Sequence, residues 1–198
     1  MFRISEDQMN TGTQLQAVLS YISERVRPAQ AVWVVGGSVG LLLRGLALGK
    51  PPRDLDLYAD KEDAAAIHHA LIPYSVDDPS ESRTSIYRSI LSHYVIEGIS
   101  VELVCGFEVT AFDSHYRTEV REVLYPMGQV AGVPPNTYTI VPLAHELIFN
   151  AMRGREDRTR LIAEAILRNS PEHGEALERI LRRNHVSETL KERLNFLL

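Results

Sequence analysis

The stretch that decides the fold is VWVVGGSVGLLLRGLALGKPPRDLDLYAD, residues 32–60. Residues 31–35 are a short apolar run rich in β-branched side chains, which predicts a buried strand. Gly36, Gly37 and Ser38 break that run, and 39–48 is apolar enough for a helix packed on a sheet. A second strand is predicted over 54–58. Side chains alternate across a strand, so Asp54 and Asp56 share one face while Leu55 and Leu57 take the other. Two carboxylates at that spacing repel unless a divalent cation sits between them, and hard oxygen ligands suit Mg²⁺ or Mn²⁺. The glycines let backbone N–H groups approach a phosphate closely, with the Ser38 hydroxyl behind them. Together these parts describe a site for a metal-bound nucleoside triphosphate (NTP).

Strand, Gly-Gly-Ser, helix and then Asp-x-Asp on the next strand resembles the DNA polymerase β nucleotidyltransferase superfamily, through Gly36, Gly37, Ser38, Asp54 and Asp56. GKPPRDLDLYA, which includes Arg53, is also similar to the head of CCA-adding enzymes and bacterial poly(A) polymerases. Gly40-Leu41 departs from that branch, which usually has Arg-Asp there. VPLAHELIFNAM followed by REDR looks like the small stand-alone transferases of the AbiEii toxin type, with Asn150 where related proteins often carry a lysine. The resemblance implies an α/β (α+β) nucleotidyltransferase fold, a mixed central sheet flanked by helices, with a core over 1–141 and a C-terminal helical lobe over 142–198. It also implies that Gly36, Gly37, Ser38 and Arg53 contact the nucleotide.

Working outward, Leu15, Val18, Leu19, Ile22 and Val26 have helical spacing and predict a lead-in helix ending near Pro28. Asp60 is a plausible N-cap for a helix over 62–72. His68 and His69 on that helix lack a further ligand at i+3 or i+4, which favours ordinary surface histidines over a metal pair. Residues 77–83 read as a polar loop, 85–90 as a strand, and 93–104 as a hairpin turning at Glu97-Gly98.

In the second arm of that hairpin, Glu102 is an acid in an otherwise apolar strand. It is either a solvated acid on an edge strand or the third carboxylate beside Asp54 and Asp56. The second reading is preferred, because carboxylates seldom interrupt such runs without a partner. Residues 107–121 read as a connector, with further strands at 120–125 and 138–141. Pro142 fits the first position of a helix running to about 152. Amphipathic helices follow over 158–168, 172–183 and 188–197. Arg153, Arg155, Arg158 and Arg160 cluster between two of these helices. They are either a solvated helix end or contacts for a triphosphate or an acceptor phosphate, and Arg155 and Arg158 are the candidates carried forward.

At 198 residues with 44% hydrophobic content the chain can bury a core. A net charge of −5 gives no global basic field for long nucleic acid. Cys105 is the single cysteine, and no signal peptide or long apolar span is read, so a cytoplasmic protein with no membrane partner is expected. The expected chemistry is two-metal transfer of an NMP to a hydroxyl, with Asp54, Asp56 and Glu102 as ligands. The acceptor stays open among an RNA 3′ end such as tRNA, a protein hydroxyl and a small molecule such as an aminoglycoside. The toxin resemblance adds an antitoxin protein as a partner. A nucleotide- or partner-binding module without turnover is the alternative. A metal-dependent glycosyltransferase ranks last, because Gly-Gly-Ser has no role there.

Overall fold

The computed structural model describes residues 6–168 and 170–198. Residues 1–5 of the expected lead-in region lie outside the described residues. Eight strands form one mixed sheet: β1 (Trp33–Val35), β2 (Leu55–Ala59), β3 (Ser80–Arg83), β4 (Tyr87–Ile96), β5 (Ile99–Ala111), β6 (Ser114–Arg117), β7 (Gln129–Val133) and β8 (Asn136–Ile140). The strand order is β3-β4-β5-β2-β1-β8-β7, with β6 paired to β5. β2 runs parallel to β5 and β1 parallel to β8, while the other pairs are antiparallel.

Alternation along these strands separates two cores. Leu55, Leu57, Ala59, Val101, Leu103 and Cys105 face one side, where α1 (Glu6–Val26) and α3 (Ala64–Leu71) bring Leu15, Leu19, Ile22, Ile67 and Leu71 against them. Tyr58 and Val104 face the other side, packed with α4 (Leu143–Met152) and the helices after it, α5 (Glu156–Arg168), α6 (Ser170–Arg183) and α7 (Glu188–Leu197). Every residue of α4 is buried. Asp54, Asp56 and Glu102 follow the even-numbered positions and so belong to the α4 side. A bulge between β4 and β5, at Gly106, shifts the alternation and brings Phe107 to that side as well.

The strand–turn–helix–strand order of residues 32–60 is present, but its helix is shorter than expected. α2 (Gly37–Leu43) stops before Gly45, whose φ is +79°. The Gly45 N–H donates to the Leu42 carbonyl and the Leu46 N–H to the Leu41 carbonyl, which is the hydrogen-bond pattern of a glycine-ended helix. Leu46 and Leu48 are still buried, so the apolar signal that extended the helix was real but belonged to packing.

Four other expectations need correction. Residues 80–83 form edge strand β3 rather than loop, its Glu81 held by Arg83 and Arg88. Residues 107–117 continue as strands, because Phe112 and Asp113 both adopt positive φ and make a tight turn without glycine. Residues 120–125 are helical, with Leu124 N–H to Glu119 carbonyl and Tyr125 N–H to Val120 carbonyl bonds spanning five residues. Burial of Val120, Val123 and Leu124 is the helical spacing that was misread as a strand. Asp60 precedes its own helix without capping it; its carboxylate accepts the Val120 and Arg121 N–H groups instead, at 2.9 Å each. Smaller shifts are Pro142, which sits just before α4, and His68, whose Nδ1 lies 2.8 Å from the Tyr94 hydroxyl while His69 is exposed. The hairpin at Glu97-Gly98, with both residues at positive φ, and helix α7 match the expectation closely.

Candidate active site

Asp56 and Glu102 are register partners on the parallel strands β2 and β5, and Asp54 immediately precedes β2. One side of this trio is closed by the glycine turn, whose Gly36 N–H donates to the Asp56 carbonyl at 3.1 Å. Gly37 has φ +62°, and a Cβ there would stand 1.9 Å from the Asp56 Oδ2. Glycine is therefore required twice at this position, for conformation and for space.

These residues line a cavity of about 320 Å³. Gly37, Ser38, Asp54, Asp56, Glu102, Arg155 and Arg158 all border it, as does Arg153, stacked over the Phe149 ring at 4.9 Å and Tyr87 at 5.7 Å. The sequence thus brought together both Asp residues, Glu102, the turn and two of its arginine candidates. Arg53 is exposed and does not line the cavity, nor does Arg160. Glu102 does not sit on an edge strand, since β4 covers β5 on its other side. Across that pairing His93 holds its Nε2 4.0 Å from the Glu102 Oε1, while its Nδ1 and backbone N–H both contact Asp77.

The electrostatics of the acidic wall follow from burial. The Asp56 carboxyl is pushed up to about 8, first by burial and then by Asp54, Glu102 and Glu146, with Arg153 pulling it back only in part. Glu102 is raised for the same reasons, burial first and then Asp54. Among the described residues no lysine or arginine pairs with any of the three acids. Nor, among the described residues, do three or more acidic, histidine or cysteine side chains come together closely enough to hold a metal ion as they stand. The donor set nevertheless suits a divalent cation: hard carboxylate oxygens, crowded and short of positive charge.

Glu146 was missed. It lies on α4, is 2% exposed, and its Oε1 accepts the Gly37 N–H at 2.6 Å. Asn150, one turn further along, donates from Nδ2 to the Glu146 Oε2 at 3.2 Å and to its carbonyl at 2.8 Å. Burial raises Glu146 to about 7, against the pull of Gly37, Asn150, Arg153 and Arg158. Its neighbour His145 is fully buried, bonded through Nδ1 to the Tyr116 hydroxyl at 2.6 Å, and held neutral with a value near 3 by burial. The signal for Glu146 was an acid inside an apolar helix, the same argument that singled out Glu102 in its strand.

No protein-family model matches the chain, and no curated protein matches it. Solved structures do. A Thermotoga maritima protein, provisionally named a nucleotidyltransferase, superposes with a TM-score of 0.61 at 20% identity, over 79% of this chain and 95% of that one. The solution structure of the antibiotic-resistance factor ANT(2″)-Ia gives a TM-score of 0.50 at 11% identity, over 86% and 93% respectively. At these identities the likeness is one of architecture: the chain has the nucleotidyltransferase fold.

Proposed function

We propose that the protein is a metal-dependent nucleotidyltransferase that moves an NMP from an NTP to a hydroxyl acceptor. The observation that carries this reading is the pairing of Asp56 with Glu102 on adjacent parallel strands, beside Asp54 and the Gly37 turn, in one cavity. Asp54 and Asp56 would hold Mg²⁺ or Mn²⁺, with Glu102 as a further ligand on the acceptor side. The metal, when bound, supplies positive charge that stabilises the attacking and leaving oxygens. The acceptor oxygen bonds to the α-phosphorus, the bond to the β-phosphate oxygen breaks, and pyrophosphate leaves. Glu102, whose affinity for a proton burial has raised, takes the acceptor proton. Ser38 and the arginines Arg153, Arg155 and Arg158 hold the phosphates of the leaving group.

The choice of base stays open, as does the acceptor class among an RNA 3′ end, a protein hydroxyl and a small molecule. A toxin role beside an antitoxin rests on sequence resemblance alone. It predicts that expression of the wild type slows growth and that Asp56→Ala relieves the effect; equal growth would remove it. The alternative is a nucleotide- or partner-binding module without turnover, which Asn150, standing where related proteins often carry a lysine, favours. Incubation with Mg²⁺ and each α-labelled NTP, with a total tRNA pool and with the protein alone, separates the two. Label transferred by wild type but not by Asp56→Asn supports the transferase; nucleotide binding with no transfer supports the module.

A further inference from the structure

Among the acids that line the cavity, the one this chemistry leaves unused is Glu146. Both of its carboxylate oxygens accept from N–H donors, Gly37 on one side and Asn150 on the other, so the position is built for an anion. It stands beside the glycine turn. A Cβ on Gly36 would strike the Tyr58 ring first and lie 3.2 Å from the Glu146 Oε1, and one on Gly37 would lie 1.9 Å from the Asp56 Oδ2. Glu146 and Asp56 therefore abut two consecutive glycines, with the Tyr58 ring filling the space over the first. Arg153, Arg155 and Arg158 border the same cavity, and among the described residues none of the three is in an ion pair with an acid. An anion drawn in by these arginines meets a donor that is already occupied and a carboxylate that repels it.

We infer that Glu146 holds the Gly37 N–H as an internal stand-in for a phosphate, and sets nucleotide affinity because it must yield that donor when a nucleotide binds. The inference rests on the nucleotidyl-transfer reading and goes beyond it by naming a residue that opposes binding. The competing role, a glutamate that merely braces the glycine turn, predicts the opposite sign. Removing a brace weakens binding, whereas removing a competitor strengthens it. A neutral isostere distinguishes them, since Gln keeps the size and a carbonyl acceptor for the Gly37 N–H but loses the charge.

The experiment is calorimetric titration of wild type and Glu146→Gln with Mg²⁺ and α,β-nonhydrolysable analogues of the four NTPs. The expected result is binding about tenfold tighter in Glu146→Gln, because a neutral amide holds the Gly37 N–H more weakly than a carboxylate does and carries no charge to repel the phosphate. Equal or weaker binding by Glu146→Gln, with wild type binding normally, overturns the inference and leaves the transferase reading in place. Failure of both proteins to bind any analogue overturns both together. Should Glu146→Gln not fold, the wild type still decides. Saturation with a bound analogue should shift the Gly37 amide and the Glu146 carboxyl carbon in NMR spectra, and an unmoved Glu146 signal overturns the inference.

Discussion

Asp56→Asn removes one charge from the acidic wall while keeping the shape of the side chain. In the wild type the carboxyl moves from 3.8 to about 8 on folding. At ~1.4 kcal/mol per pH unit, that corresponds to about 6 kcal/mol once the group is fully ionised, which relaxation and the effective dielectric of a protein site bring down to about 2–3 kcal/mol. The sign follows from proton binding. A carboxyl whose value is raised in the folded state holds its proton better there, so its stabilising contribution is complete below about pH 4 and lost as pH rises towards 8. Asparagine does not titrate. The melting temperature of Asp56→Asn, measured without metal, should therefore approach that of wild type near pH 4. By pH 8.5 it should exceed it by about 5–10 °C, given ~2–4 °C per kcal/mol for a chain of this size. Differential scanning fluorimetry across pH 4–9 on both proteins provides the test. A difference that stays constant with pH, or a variant less stable than wild type at pH 8.5, would refute the argument that burial and the neighbouring acids penalise the ionised Asp56.

Glu102→Gln should lower transfer more mildly than Asp56→Asn, by about 10²-fold in kcat, if it receives the acceptor proton; wild-type turnover would return Glu102 to a solvated role. Gly37→Ala should cost more than about 2 kcal/mol in urea denaturation, because both φ +62° and the nearby Asp56 oxygen oppose a Cβ; an unchanged midpoint would contradict this. Asp60→Ala strips the acceptor from the Val120 and Arg121 N–H groups and should cost about 1–2 kcal/mol. Hydrogen exchange at those two amides should then rise, whereas unchanged protection would mean that Asp60 does not hold that turn.

The parts of the fold legible in the sequence are those whose cause is local. Gly36 and Gly37 after a β-branched run, alternation through Asp54-Leu55-Asp56-Leu57, Glu97-Gly98 between two strands and the amphipathic spacing of 188–197 each carry their own signal. What was missed depends on distant contacts. The helical turn at 120–124 is held by Asp60, about sixty positions earlier, and the turn at Phe112-Asp113 begins with a phenylalanine, a residue type that rarely adopts positive φ. Within the site, the two aspartates and Glu102 were readable because acids interrupt apolar strands. Glu146 meets Gly37 only through a contact 109 residues apart, and the helix starting near Pro142 was read without a role for its acid. Arg53 came from the resemblance carried by GKPPRDLDLYA, yet it is exposed outside the cavity, since a shared sequence stretch does not fix where a side chain points.

The central claim is that Asp54, Asp56 and Glu102 act as one divalent-cation centre. It is tested most directly by the gain in melting temperature on adding Mn²⁺ to wild type, Asp56→Asn and Glu102→Gln at one pH, because a cation that binds the folded state stabilises it by mass action. The account predicts a clear gain in wild type, a reduced gain in Glu102→Gln and none in Asp56→Asn. Equal gains in all three proteins would contradict it.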